Sequence, residues 1–386
     1  MVSLAVAAAL LPAAVRAQNT LSALQTDVDK IVERARPSVL TVVAQHTEEH
    51  RQPHHSPPER RVHSRVGSGV AVGENEILTT ASVVLAAERV VVSTVNGLEA
   101  DATLVGVDPV SNLALLRVSD LRLPPLRFAE GPAPGSGDWV ITLGTSYHSQ
   151  ATQSVGNVAF RERDPRLVML QLTNVVYPGN SGGAALNTRG ELVGIVEGDL
   201  GPPDHGAASS LDRRPGGASF VLATESVRPV LESLRRQGRV PHGYLGVSTR
   251  VVEVESDTEA GLRVPIGALV ESVVPGGPAE RCGLRRGDLI VAFDDERVEY
   301  PEQLALWVAA TPPGVTVRLV WARNEIQKSG RVVLGESAGA EPAWAVEGAP
   351  LSAPVSGSRI FEIERQIQRL NRELELLKSQ GSGVPR

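Results

Sequence analysis

From Ser38 onward the chain is a succession of short, β-branched apolar runs separated by Gly, Pro, Asn and Asp. The runs are Ser38 to Val43, Gly67 to Val72, Glu76 to Thr80, Arg89 to Thr94, Ala102 to Val107, Leu113 to Val118, Gly137 to Gly144, Leu167 to Leu172, Leu192 to Val196 and Ser219 to Ala223. Segments of this length and residue type predict strands, and many of them at regular spacing predict a β-barrel or sandwich. Helical spacing occurs in two places. Leu21, Leu24, Val28, Ile31 and Val32 predict an amphipathic helix ended by Pro37, and Val227, Val230, Leu231 and Leu234 predict another over Ser226 to Gln237. A second unit begins at Gly243 and closes near Gly335, with a helix over Pro301 to Ala310 and a strand over Val315 to Ala322. Residues 336–358 are rich in Ala, Pro, Ser and Gly, which predicts a flexible linker. Beyond it, Ile360, Ile367 and Leu374 alternate with Ile363, Leu370 and Leu377 at heptad spacing. That pattern predicts a coiled coil over 359–379, and isoleucine at both seam positions favours three or more strands. A single helix docking on its own chain is the alternative.

Composition narrows the picture without changing it. The 386 residues are 42% apolar with a net charge of −6, enough for several packed cores and without the basic bias of a nucleic-acid binder. Residues 1–17 form an apolar run ending Ala14-Val15-Arg16-Ala17, the pattern of a secretory signal with its cleavage site. Export follows from it, to the periplasm or outside the cell, with a retained N-terminal anchor as the alternative. The single cysteine, Cys282, excludes an internal disulfide and reads as a buried packing residue. The stretch His46 to Ser64 holds His46, His50, His54, His55 and His63 and reads as a polar surface loop. The same histidines also raise a metal-responsive reading, although no cysteine or carboxylate framework fixes a geometry; no metal or other cofactor is assigned.

The candidate chemistry lies in Tyr177-Pro178-Gly179-Asn180-Ser181-Gly182-Gly183. Glycines around a serine permit a tight turn with bare N–H groups. Ser181 would be the nucleophile of an acyl-transfer site, and the N–H groups of Gly179 and Ser181 its oxyanion hole. A polar β-turn is the plain alternative. A serine hydroxyl needs a base to take its proton, and that base needs an orienting group.

With these residues in view, positions 21–336 resemble the HtrA/Deg family of trypsin-like serine proteases carrying a C-terminal PDZ domain. The resemblance is carried by Gly67-Ser68-Gly69-Val70, by Gly137-Asp138-Trp139-Val140, by Gly179 to Gly183 followed by Gly190 to Ile195, and by Gly276 to Ile290. It implies a mostly β architecture, with a chymotrypsin-like double β-barrel over 37–240 and an α+β PDZ domain over 243–335; the N-terminal helix at 18–36 and the C-terminal coiled-coil helix are read from their own spacing. The resemblance also implies trimers built by the protease domain. In the PDZ unit it places Tyr244, Leu245, Gly246 and Val247 in the loop that caps a ligand's carboxylate. A ligand strand would then add along Val247 to Thr249, with Leu304 and Val308 lining the side-chain pocket.

The resemblance breaks at the catalytic positions. The family's histidine motif, Ile-Leu-Thr-Asn-Ala-His-Val-Val, falls on Ile77 to Val84 and puts Ser82 at the histidine. The acid motif falls on Asp108 to Leu116 and puts Asn112 at the aspartate. Ser82 holds its proton too tightly to act as a base near pH 7, and Asn112 carries no charge to steady an imidazolium. Loss of the acid alone costs about 10⁴-fold in turnover in proteases of this design. His148 and His205, in loops that border the cleft in the family, are the remaining imidazoles that a rescue would draw on. The expectation is a pseudoprotease that binds peptides, protein C-termini or unfolded partners as a homo-oligomer, a trimer foremost, or as a mixed oligomer with an active relative. The alternative is an active serine endopeptidase with a non-standard base.

Overall fold

The computed structural model describes residues 4–50, 59–146, 150–161, 167–199, 219–255, 263–324 and 326–337. The predicted linker from residue 338 on, the coiled coil, His54, His55, His148 and His205 lie outside these residues. The chain divides into two compact units, one holding both barrels and the other the chain from Arg239 on.

In the first unit, helix α1 (Leu4–Ala35) runs without a break through the expected signal cleavage point and on to a 3₁₀ turn containing Pro37. Its C-terminal end packs: Ile31, Val32 and Ala35 are buried, whereas Leu21 and Leu24 are exposed. The amphipathic spacing therefore overstated the buried face. Among the described residues no helix is long and apolar enough to cross a membrane.

Six strands close the first barrel: β1 (Val39–His50), β2 (Glu59–Gly73), β3 (Glu76–Thr80), β4 (Arg89–Ser93), β5 (Glu99–Asp108) and β6 (Leu113–Val118), in the order β1-β2-β3-β6-β5-β4. Leu40, Val42, Ile77, Val92 and Leu116 fill it. Between β3 and β4 lies the four-residue helix α2 (Ala81–Val84). The second barrel comprises β7 (Trp139–Thr145), β8 (Ala151–Arg161), β9 (Met169–Leu172), β10 (Ala184–Leu186), β11 (Leu192–Asp199) and β12 (Ser219–Ala223), in the order β10-β11-β12-β9-β8-β7. Val140, Leu170, Val193 and Val221 are at its centre. Helix α3 (Thr224–Gln237) follows, with Val227, Leu231 and Leu234 buried one and two turns apart. Strands β8 and β10 were not legible in the sequence. In β8 exposed and half-buried residues alternate with few large apolar side chains, and β10 is three residues long.

The histidine-rich stretch departs from the expected loop. Residues 39–50 and 59–73 pair in one antiparallel register, so His46 lies opposite His63. Their rings stack with centroids 5.5 Å apart. His46 is buried and its Nε2 donates to the Val83 carbonyl at 3.3 Å. Burial, with Arg65 nearby, lowers its pKa. Once the ladder is set by Val39 to Ala44, it continues outward through polar residues that have no hydrophobic pattern of their own.

The second unit contains β13 (Gly243–Tyr244), β14 (Val247–Glu255), β15 (Arg263–Val273), α4 (Pro278–Cys282), β16 (Leu289–Phe293), β17 (Glu296–Arg297), α5 (Pro301–Ala310), β18 (Thr316–Arg323), β19 (Ile326–Val333) and β20 (Gly335–Glu336). Its main sheet runs β14-β15-β16-β18-β19, which leaves β14 at one end. Phe293, Trp307, Leu304, Val317 and Leu319 build the core. Cys282 is half-buried against that core rather than enclosed by it, and burial raises its thiol pKa.

Candidate catalytic site between two barrels

The loop 177–183 is held from both barrels. Ser68 on β2 donates its main-chain N–H to Ser181 O at 2.7 Å, and its hydroxyl donates to Gly179 O at 2.6 Å. That hydroxyl also accepts from Thr145 N at 2.8 Å. Asn180 turns inward: Oδ1 accepts from Tyr177 N at 2.7 Å, and Nδ2 donates to Thr145 O at 2.9 Å. Gly182 N donates to Val196 O at 2.8 Å, and Gly182 adopts φ 86°, a conformation open to glycine at little cost. No described residue accepts a hydrogen bond from the N–H of Gly179 or of Ser181. The bracing roles of Ser68 and Asn180 escaped the sequence reading, although both stand in the motifs, because nothing in a motif says which hydroxyl or amide will brace it.

Ser82 and Asn112, which the motif alignment sets at the histidine and aspartate positions, lie side by side. Asp108 accepts from Val110 N, Ser111 N and Ser111 Oγ, which forms the turn that presents Asn112. Asn112 has φ 53°, a left-handed conformation that asparagine tolerates better than most residues. Its carbonyl accepts from Ala81 N at 2.8 Å and its side-chain Oδ1 from Ser82 N at 2.8 Å. Asn112 thus caps the start of α2, filling two of the orphan donors that every helix N-terminus leaves. Ser82 is exposed, and its carbonyl accepts from Arg65 Nη1 at 3.1 Å.

A fourth residue belongs to this cluster. Glu197 on β11 accepts from Asn112 Nδ2 at 2.6 Å through Oε2, while its main-chain oxygen accepts from Ser181 Oγ at 3.3 Å. It is 9% exposed, and among the described residues its buried Oε1 has no hydrogen-bond partner. Burial pushes its carboxyl up to about 8, against the opposing pull of the Asn112 amide. Sequence reading missed Glu197 because it is 85 residues from Asn112 and belongs to no motif. A carboxylate closing an otherwise apolar run, Leu192 to Val196, was the available signal.

In the second unit, Leu245, Leu304 and Val308 are buried, Tyr244 is exposed and Gly246 has φ 81°. Leu245 O accepts from Ala279 N, and Gly246 O from Val274 N, each at 2.9 Å. The predicted carboxylate loop is therefore tied to the segment before α4 and to its first turn. Among the described residues, no group of three or more His, Cys, Asp or Glu side chains is placed to hold a metal ion.

Two six-stranded barrels with a Gly-Asn-Ser-Gly-Gly loop between them, followed by a separate α+β unit with an end strand beside a helix, define a trypsin-like protease fold joined to a PDZ domain. Comparison agrees unit by unit: the trypsin-like peptidase domain family matches residues 67–195, and the PDZ domain family matches residues 269–323. A probable periplasmic serine endoprotease, DegP-like, from Ectopseudomonas mendocina is 31% identical over 278 residues, covering 70% of this chain and 56% of its own length. Its counterpart from Halomonas elongata is 31% identical over 292 residues, covering 72% and 59%. This chain thus spans a little over half the length of these relatives. Among solved structures, the HtrA-type protease AlgWS227A with a decapeptide superimposes with a TM-score of 0.63 at 25% identity, over 81% of this chain and 99% of that one. The serine endoprotease from Yersinia pestis gives 0.55 at 29% identity, over 80% and 97%. The chain belongs to the HtrA/DegP family of trypsin-like serine proteases with a PDZ domain.

Proposed function

We propose that this chain is an exported HtrA-type pseudoprotease, which holds peptides or partner-protein segments without cutting them. One observation carries the reading: the Ser181 hydroxyl donates to a main-chain carbonyl, Glu197 O, while the triad positions that should serve it hold a serine and an amide. A hydroxyl with no base reacts as an alcohol. What a site of this design retains without its triad is only about 10³–10⁴-fold over water, from the oxyanion hole and binding. The unengaged N–H groups of Gly179 and Ser181 support a cleft that still receives a peptide carbonyl.

Peptide capture is assigned to the PDZ unit. β14 ends its sheet and so has an edge available for strand addition, with Leu304 and Val308 of α5 as the pocket residues and Tyr244 to Val247 as the carboxylate loop. The relatives named as periplasmic support export, and the family resemblance supports a homo-oligomer, with a trimer preferred. The deciding experiment is casein cleavage by the purified chain beside Ser181→Ala, together with calorimetric titration of peptides bearing free or amidated C-termini. Equal, near-background cleavage and binding that needs the free carboxylate are expected. Turnover that disappears in Ser181→Ala would establish the second reading, an endopeptidase with an unusual base. Glu197, the buried carboxyl of the site, is the residue that favours considering it.

A further inference from the structure

Glu197 touches two of the three triad positions by different routes, Asn112 through its carboxyl and Ser181 through its main chain. Its carboxyl is enclosed, with one oxygen on an amide N–H and the other, among the described residues, on nothing. An ionised carboxylate there would have a single neutral donor, a poor return for leaving water. Burial is the main influence on its titration and the Asn112 hydrogen bond the opposing one. Asn112 in turn has both ends of its amide committed, Oδ1 to Ser82 N and Nδ2 to Glu197.

We propose that Glu197 is a positioning residue of this site, a buried neutral carboxylic acid that orients the Asn112 amide. The inference rests on the non-proteolytic reading above and names a third position that maintains it. The two residues are complementary. With aspartate at 112, an oxygen would replace Nδ2 and face Glu197 Oε2 across the present 2.6 Å. Two carboxyls that close share one proton and titrate as a pair, with the second ionisation pushed upward. The Glu197 O–H would then donate to the carboxylate introduced at position 112. Loss of that proton at alkaline pH would drive the two apart and displace whatever imidazole leaned on them. Restoring histidine at 82 and aspartate at 112 therefore rebuilds a triad with an alkaline weakness built in. Glutamine at 197 keeps the shape and supplies an N–H donor that cannot ionise.

The test compares Ser82→His/Asn112→Asp with Ser82→His/Asn112→Asp/Glu197→Gln, following cleavage of fluorescein-labelled casein from pH 5 to 10. The first variant is expected to regain activity at neutral pH and to lose it on an alkaline limb above pH ~8, about tenfold per pH unit beyond the limb's pKa. The second is expected to hold a plateau there. Matching alkaline profiles, or loss of the regained activity on adding Glu197→Gln, would overturn the proposal. An infrared difference spectrum of the unaltered full chain against Glu197→Gln decides the matter even where neither variant cleaves. A protonated-carboxyl C=O band at pH 7 that fades at alkaline pH supports the proposal, and its absence at pH 7 refutes it. Cleavage by the unaltered chain that Ser181→Ala removes would instead defeat the non-proteolytic reading, and the infrared band would still report on Glu197 separately.

Discussion

Ser181 Oγ lies 3.3 Å from the main-chain oxygen of Glu197 and donates its proton there. That proton would have to leave for the serine to attack a carbonyl, and a peptide carbonyl oxygen is far too weak a base to keep it. On the proposed non-proteolytic reading, Ser181 is braced by the loop but not activated.

The first expectation follows directly. A fluorophosphonate probe should label Ser181 no faster than a surface serine, read by intact-mass spectrometry over hours. Rapid stoichiometric labelling at Ser181 would mean that a base exists within reach.

Glu197 sets the direction of a pH effect on stability. Its folded-state pKa, about 8, lies above the ordinary glutamate value near 4.3. The folded chain therefore binds more protons than the unfolded one between those values. The stability it contributes is complete below pH ~4, falls as pH rises at up to about 1.4 kcal/mol per unit, and levels off above pH ~8. Glu197→Gln should flatten this slope, so that the variant gains on the parent between pH 5 and 8 in urea denaturation. Parallel profiles for the two proteins would contradict the assignment.

Gly182 carries a steric requirement of the 177–183 loop that does not depend on catalysis. A Cβ at this position would collide with Ser68 O, and φ 86° is strained for any side chain. Gly182→Ala should destabilise the barrel unit by about 2–5 kcal/mol, combining left-handed strain with overpacking, as read from its thermal or urea transition.

In the PDZ unit, Asp288 is fully buried and meets Arg323 through two contacts, Nε to Oδ1 at 2.6 Å and Nη2 to Oδ2 at 2.7 Å. It also accepts from Arg285 N at 2.8 Å. Asp288→Ala should lower the urea midpoint of the transition belonging to this unit and leave the barrel transition in place. The loss should persist in 0.5 M salt, because a sealed carboxylate is poorly screened. Recovery of the midpoint in salt would assign the pair to the surface.

Much of the fold was legible before any coordinates. Strands β3, β6 and β12 and helix α5 fall where their apolar runs and flanking residues place them, because a strand buried on both faces is a short continuous apolar run. The identities of Ser82, Asn112 and Ser181 were likewise plain, since chemistry at a position depends on which side chain stands there. What the linear order did not contain was distance. The extension of β1 and β2 through His46 and His63, the bracing of Gly179 by Ser68, and the meeting of Asn112 with Glu197 all join residues whose local patterns are uninformative. The strand pattern pointed to a β-barrel or sandwich and a second unit, and the resemblance to the HtrA/Deg family implied the two barrels, the PDZ domain and a serine at the histidine position. Only the folded chain decided that a buried carboxyl would come to rest against the amide at position 112, because desolvation and hydrogen bonding act through space and leave no trace in sequence separation.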